Sequence, residues 1–231
     1  MDRRNKVFPE TEIIANERQR SEFDEALARY DVAVPELARE ALFAYANALW
    51  TWNEKVNLTR HLEWDDFVGK DLKDVTQLSQ LLEPGERILD VGSGGGVPGL
   101  PLSLLRPDLK VELAESVGKK AAILEDLKKA CGAAVVVHAE RGEAVIDRKP
   151  FDVVTCRGVG SLAKLLRWLD GRWDSVGRVL AFKGPKWADE RGEARHYGLL
   201  KGLQLRKAAT YETVGRGGEC VILKIQPEEQ A

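Results

Sequence analysis

Apolar residues recur at helical spacing through the first third of the chain, and in short blocks after it. In the charged stretch Thr11–Tyr30, the residues Phe23, Ala26, Leu27 and Tyr30 share one face and predict a helix. Val34-Pro35 breaks it, and Pro35 suits the first turn of the next helix. From Leu37 the positions Ala38, Ala41, Leu42, Tyr45, Ala48, Leu49 and Trp52 form an i, i+3, i+4, i+7 stripe. Such a stripe has to pack on something, and a sheet is the obvious partner. Asn57-Leu58-Thr59 closes the segment, and a third helical stretch is predicted from about Trp64 to Leu82. Pro84-Gly85 then marks a junction. The pattern divides the chain into an N-terminal helical segment, 1–83, a sheet domain, 84–226, and a tail, 227–231. Met1–Pro9 is polar and expected to fray.

After the junction the period changes. Ile88 and Leu89 read as a short buried strand ended by Asp90, followed by a turn of Gly92, Gly94, Gly95 and Gly96. Leu100, Leu102, Leu104 and Leu105 open a helix. Leu109–Ala114 is a second strand with Glu115 at its end, and the helix after it turns Ala121, Leu124, Leu127 and Cys131 inward. Ala133–His138, Phe151–Cys156 and Arg178–Lys183 are predicted as further strands, separated by helical patterns as parallel sheets require. Gln204–Val214 and Glu219–Ile225, joined by Gly215-Arg216-Gly217-Gly218, read as an antiparallel hairpin. The predicted fold is a doubly wound α/β sheet, mostly parallel, with a C-terminal antiparallel hairpin and preceding N-terminal helices.

Composition narrows the class. A chain of 231 residues, 44% of them hydrophobic, is long and apolar enough for one large core. The net charge of −2 argues against a protein that coats nucleic acid, yet allows a local basic face. Cys131, Cys156 and Cys220 are odd in number and lack metal spacing, so they are expected to be buried small hydrophobes in a reducing compartment, and no metal site is expected. No h-region and no run of 18 apolar residues is present, so a cytoplasmic protein without a membrane span is expected. Nothing points to an obligate dimer, and a monomer is expected.

The glycine turn carries the chemistry. It reads D-x-G-x-G-x-G, not the G-x-G-x-x-G that seats a pyrophosphate on a helix N-terminus. An acid facing the ligand would repel a pyrophosphate and suits a cation, and S-adenosylmethionine is cationic and has no phosphate. Glu115, 25 residues after Asp90, is placed to accept ribose hydroxyls. A nicotinamide or flavin site is the competing reading, but a dehydrogenase sheet would not end in a hairpin, whereas class I methyltransferases do. The other loops at the carboxyl ends of the strands extend the site. Glu140-Arg141-Gly142-Glu143 is placed to meet adenine, Arg157-Gly158-Val159-Gly160-Ser161 lies nearest the transferred methyl, and Lys183-Gly184-Pro185-Lys186-Trp187 offers phosphate and base contacts. His61, His138 and His196 share no motif and are assigned solvated or structural roles.

These motifs resemble one family. Asn57–Thr59 (NLT), Leu89–Pro107 (LDVGSGGGVPGLPLSLLRP), Glu115–Lys120 (ESVGKK), Arg141–Glu143 (RGE), Cys156–Leu162 (CRGVGSL) and Phe182–Lys186 (FKGPK) agree in order and spacing with the small-subunit ribosomal RNA guanine-N7 methyltransferases, also known as the glucose-inhibited division protein B family. The resemblance covers about Asn57 to Lys224, with the helix ending at Trp52-Asn53. It implies S-adenosylmethionine-dependent methylation of one guanine N7 in 16S-type rRNA. By position it implies donor contacts from Asp90, Gly92, Gly94, Val97, Glu115, Ser116, Gly142, Glu143 and Arg157. Arg157 also faces the target base, with Asp74 or Asp71 as a carboxylate near the positive charge that methylation leaves on the purine. Lys183, Lys186, Lys70 and Arg216 are the leading RNA contacts, with Arg60, Lys73, Lys119, Lys120 and Arg191 as further candidates for one basic face. Guanine N7 already has a lone pair and carries no proton, so alignment and exclusion of water suffice without a general base.

The sequence also departs from the family pattern. Lys70–Val75 (KDLKDV) stands where R-H-x-x-D-S is usual, Cys156–Gly160 (CRGVG) replaces S-R-A-F-A, Gly142 replaces a valine, and Glu115 an aspartate. The donor loop is intact and the changes lie toward the acceptor. The alternatives are therefore a methyltransferase of the same fold acting on another RNA site or a small molecule, and a non-catalytic donor-binding protein.

Overall fold

The computed structural model describes residues 10–214 and 219–228. Expectations for Met1–Pro9, for the turn Gly215–Gly218 with Arg216, and for residues 229–231 lie outside them. Helices α1 (Glu10–Arg29) and α2 (Glu36–Asn53) come first. Next come α3 (Trp64–Asp66), a π-helical segment (Phe67–Leu72) and α4 (Lys73–Ser79) in unbroken succession. The predicted third helix is thus present but widened in its middle, a feature that concentrates at functional sites.

Seven strands follow: β1 (Arg87–Val91), β2 (Lys110–Ala114), β3 (Val136–His138), β4 (Phe151–Arg157), β5 (Val176–Lys183), β6 (Leu203–Tyr211) and β7 (Cys220–Pro227). They form one sheet in the order β3-β2-β1-β4-β5-β7-β6. The first five are parallel, and β7 is antiparallel to both β5 and β6. Helices α5 (Gly99–Leu105), α6 (Gly118–Cys131), α7 (Gly142–Ile146), α8 (Leu162–Leu169) and α9 (Trp187–His196) make the crossovers. Three strand expectations are corrected, the first being Gln204–Val214, which ends at Tyr211 where its pairing with Cys220 at the start of β7 runs out. Asp90 does not end β1, because it stays in register with Leu113 and Thr155. The third strand is shorter than Ala133–His138. Gly132 closes α6 in the left-handed region (φ 68°), and the next three residues carry the chain from the helix layer to the sheet plane.

Both faces of the sheet are buried, so neighbouring strand residues feed different cores. Ile88 and Leu180 join the core under α2 and α6, while Leu89 and Val179 join the one under α8. The α2 stripe is buried as expected at Ala38, Leu42, Tyr45 and Leu49, but Phe43 and Ala46 are buried too. The reason is a second neighbour. Trp64 packs against Phe23, Phe43, Trp50 and Phe67 with ring centroids 4.6–6.1 Å apart, so α2 is covered on two sides. All three cysteines are buried, and no disulfide occurs among the described residues. Burial pushes the Cys156 thiol up to about 12, which keeps it an unreactive thiol. No described helix is long and apolar enough to cross a membrane.

Candidate active site

The glycine turn leaves β1 with positive φ at Gly92 (69°), Gly94 (56°) and Gly96 (99°), a path open to glycine at little strain. It is tied down on every side. Gly92 N–H donates to the Ala114 carbonyl (2.8 Å), and the Tyr45 hydroxyl, from α2, donates to the Gly95 carbonyl (2.6 Å). Glu115 accepts from Gly94 N–H (3.0 Å) and Val117 N–H (2.8 Å) through its two carboxylate oxygens. Asp90 accepts from Gly99 N–H (3.3 Å) and is 1% exposed. The expectation that Asp90 faces a cationic ligand is therefore corrected. Since β1 continues through Asp90, the pleat turns its side chain under α5, where it braces the loop. Burial pushes its carboxyl up to about 7. Val97 packs its side chain on the core.

Two cavities open at the carboxyl edge of the sheet. One, of about 280 Å³, lies between the glycine turn and helices α7 and α8, lined among others by Gly92, Ser116, Gly142, Glu143, Val159, Leu165 and Trp168. It brings together four of the predicted donor residues, Gly92, Ser116, Gly142 and Glu143. Trp168 and Leu165 were missed, because on α8 they read as ordinary core positions. Gly142 has a steric reason to lack a side chain. A Cβ there would stand 2.9 Å from both Trp168 and Val91.

The second cavity, of about 550 Å³, is lined among others by Asn57, Thr59, Arg60, His61, Asp74, Arg157, Gly158, Lys183 and Tyr211. Arg157, at the end of β4, forks between two carboxylates: one Nη lies 2.6 Å from Asp71 and the other 2.9 Å from Asp74. The Tyr211 hydroxyl donates to the other Asp74 oxygen (2.7 Å), and His61 Nδ1 lies 2.9 Å from Asp71. Asp71 and Asp74 are each 1% exposed, so neither is a surface acid. Burial alone would raise Asp71, but Arg157 and His61 outweigh it and hold the carboxyl below its usual value. Burial would lower Arg157, and the two carboxylates reverse that to raise it. Tyr211 is raised by burial and by Asp74. His61, assigned no more than a structural or solvated role from the sequence, is thus part of the cavity wall. Its loop is shaped by α2, where Asn53 accepts from Leu58 N–H (2.7 Å) and Thr59 N–H (2.9 Å).

The basic residues fare differently. Lys183 donates to the Gly160 carbonyl (2.8 Å) and Glu190 (2.7 Å), and its side chain is 8% exposed. Lys70 pairs with Asp66 at 2.6 Å. Both ammonium groups have an intramolecular partner, which replaces water lost on burial, and Lys183 also lines the larger cavity. Lys186 is exposed at the start of α9. The exit loop of β4 serves both cavities: Gly158 lines the larger and Val159 the smaller.

Similarity to known proteins agrees with this arrangement. A family model described as GidB, rRNA small subunit methyltransferase G, matches residues 38–214. Ribosomal RNA small subunit methyltransferase G of Rhodopirellula baltica is 51% identical over 191 residues, 83% of this chain and 83% of that protein. The protein of the same name from Sorangium cellulosum is 36% identical over 215 residues, 90% of this chain and 88% of that one. Among solved structures, an MtNAS variant in complex with S-adenosylmethionine matches with a TM-score of 0.56 at 18% identity, over 94% of this chain and 91% of that chain. A methyltransferase from Pyrococcus furiosus matches with a TM-score of 0.53 at 13% identity, over 70% of this chain and 85% of that one. The structural likeness is one of fold, the class I methyltransferase sheet expected from the strand pattern. With a family model matching most of its length and a relative at 51% identity, the chain belongs to the rRNA small subunit methyltransferase G family.

Proposed function

We propose that this protein transfers a methyl group from S-adenosylmethionine to N7 of a guanine in small-subunit ribosomal RNA. The observation that carries the reading is the pair of cavities lined by consecutive residues of one loop, Gly158 and Val159, within a chain of this family. The residues present fit the donor. Gly92 and Gly142 leave bare backbone where a Cβ would collide with Val159, Trp168 or Val91. Trp168, Leu165 and Val159 offer apolar flanks for adenine, while Glu143 and Ser116 offer polar contacts. Glu115 keeps lone pairs on both oxygens after binding Gly94 and Val117, enough to accept ribose hydroxyls. S-adenosylmethionine, when bound, supplies an electrophilic methyl on a cationic sulfur.

The larger cavity takes the guanine. Arg157 has five N–H donors; it donates one to Asp74 and lies in ion-pair contact with Asp71 at 2.6 Å. A further donor is available to the guanine O6, which holds the base and leaves N7 free. Because both carboxylates fix the guanidinium, the base is aligned without reorganisation at the moment of reaction. Asp71 and Asp74 are the carboxylates held against the guanidinium, and their negative charge favours the positive charge that forms on the purine. The polar wall of Asn57, Thr59, Arg60 and His61 suits a nucleobase better than an apolar small molecule. The segment 1–83 belongs to the catalytic unit in this reading, since it supplies His61, Asp71 and Asp74 to a site otherwise built on 84–226. We place the protein in the cytoplasm, in keeping with three buried free cysteines among the described residues, and read it as a monomer.

The test uses labelled S-adenosylmethionine with naked small-subunit rRNA and with intact small subunits from cells lacking N7 methylation. Label is expected in rRNA, at one N7-methylguanine located by mass spectrometry. Donor binding with no label in either acceptor would reject the assignment.

A further inference from the structure

At the β6 edge of the sheet, β6 and β7 carry a hollow of about 600 Å³ lined among others by Gln204, Arg206, Lys207, Lys224 and Gln226, with Glu228 at one end. Arg206 and Lys224 are directly opposite one another in the ladder. Like charges in that relation repel, and an opposite charge on the partner strand would be the stable choice. Among the described residues neither has an ion-pair partner, whereas the adjacent Lys207 pairs with Glu219 (3.4 Å) and lies over Trp187. The two unmatched cations are flanked by the glutamine amides, so the hollow presents donors and positive charge, with the Glu228 carboxylate confined to one end.

Its position gives it a direction. Lys224 is opposite Leu180 of β5, which faces the core under α2. Ala209 and Tyr211 of β6 pack on that same core, and the Tyr211 hydroxyl reaches Asp74 in the guanine cavity. Arg206 and Lys224 therefore lie on the face of the sheet that carries the cavity. The five residue steps from Arg206 to Tyr211, through a bulge at Lys207–Ala209, span at most about 17 Å, the reach of a few nucleotides.

We propose that Arg206 and Lys224 form a phosphate-binding shelf that holds the rRNA backbone a few nucleotides from the methylated guanine. The inference rests on the RNA reading above and extends it to a surface outside the cavity. An anion between the two strands relieves the repulsion of the facing cations. The shelf contributes to substrate affinity and register, and no part of it touches the reacting atoms.

Fluorescently labelled 16S rRNA from cells lacking N7 methylation is titrated with the full chain over about 50 to about 300 mM salt. The proteins are wild type, Arg206→Gln/Lys224→Gln, the charge-keeping Arg206→Lys, and a control with Lys110→Gln/Lys129→Gln at exposed sites elsewhere. The shelf variant is expected to bind about tenfold or more weakly at low salt, with a log–log salt slope shallower by about 1 to 2. Arg206→Lys and the control are expected to keep the wild-type slope, and kcat at saturating rRNA is expected to be unchanged in all four. Equal affinity and slope for the shelf variant overturns the proposal, as does an equal loss in the control or failure of the wild type to bind rRNA. If the wild type binds with this salt signature but methylates nothing, the shelf stands and the assigned reaction falls.

Discussion

Gly142 shows how one residue shapes the smaller cavity. Its missing Cβ makes room for Trp168 and Val91, each of which a side chain would approach to 2.9 Å. Gly142→Ala is expected to lower stability by about 1–3 kcal/mol in urea unfolding and to weaken donor binding in calorimetry. Adding Trp168→Leu to it is expected to restore part of the stability. Asp90 poses a different problem, a carboxyl buried with a single backbone donor on one oxygen. Its folded value near 7 lies above the ordinary 3.8. The stability it contributes is fully present below pH about 4 and is lost as pH rises through about 7. Asp90→Asn keeps an acceptor for Gly99 and has no charge to bury. Relative to wild type, its melting temperature is expected to gain steadily from pH about 4 to about 7 and then level off. A difference that does not change with pH would refute the assignment of Asp90 as a buried acid.

Among the elements, α2 does the most to hold the site. Its stripe was visible as a period, and the burial of Ala38, Leu42, Tyr45 and Leu49 follows from it. The work of one stripe residue was not visible. Tyr45 is fully buried, yet its hydroxyl supports the Gly95 carbonyl, 50 residues away. Tyr45→Phe is expected to cost about 1–3 kcal/mol, because it leaves that carbonyl unpaired out of water. It is also expected to raise the donor Kd more than the acceptor KM, since the loop it frees belongs to the smaller cavity. The third helical stretch was legible as a helix and not as a π-helix. Apolar spacing reports which face is buried, and one extra residue in a turn shifts that spacing too little to be read.

At the scale of the whole molecule, His61, Asp71, Asp74, Arg157 and Tyr211 come from a loop, two turns of one widened helix and two strands. Removing the shared cation leaves two buried carboxylates without their counter-charge. Arg157→Ala is expected to cost about 3–5 kcal/mol of stability in denaturant unfolding. Arg157→Lys keeps the charge but cannot fork, and is expected to stay folded while kcat falls more than tenfold. Loss of folding without loss of kcat in the folded fraction would remove Arg157 from the reaction. Arg157 was singled out from its place after a strand, and Asp74 from the family pattern. Their joining, and the inclusion of Tyr211 and His61, depended on contacts across as many as 137 residues of sequence.

Local patterning of the chain was enough to set the alternation of strands and helices, the glycine turn and the closing antiparallel pair. Each is set by local period and backbone freedom, which neighbouring residues express without outside help. It also placed Gly92, Ser116, Gly142 and Glu143 together in the smaller cavity, since loops at the carboxyl ends of neighbouring parallel strands lie side by side. Tertiary structure decided which charges are available. Asp90 was turned under the loop, Lys183 and Lys70 were taken by carboxylates, and Arg206 and Lys224 were left facing each other. Charge pairing depends on what lies within a few ångströms in space, and a strand register or a helix crossing settles that only once the sheet is assembled.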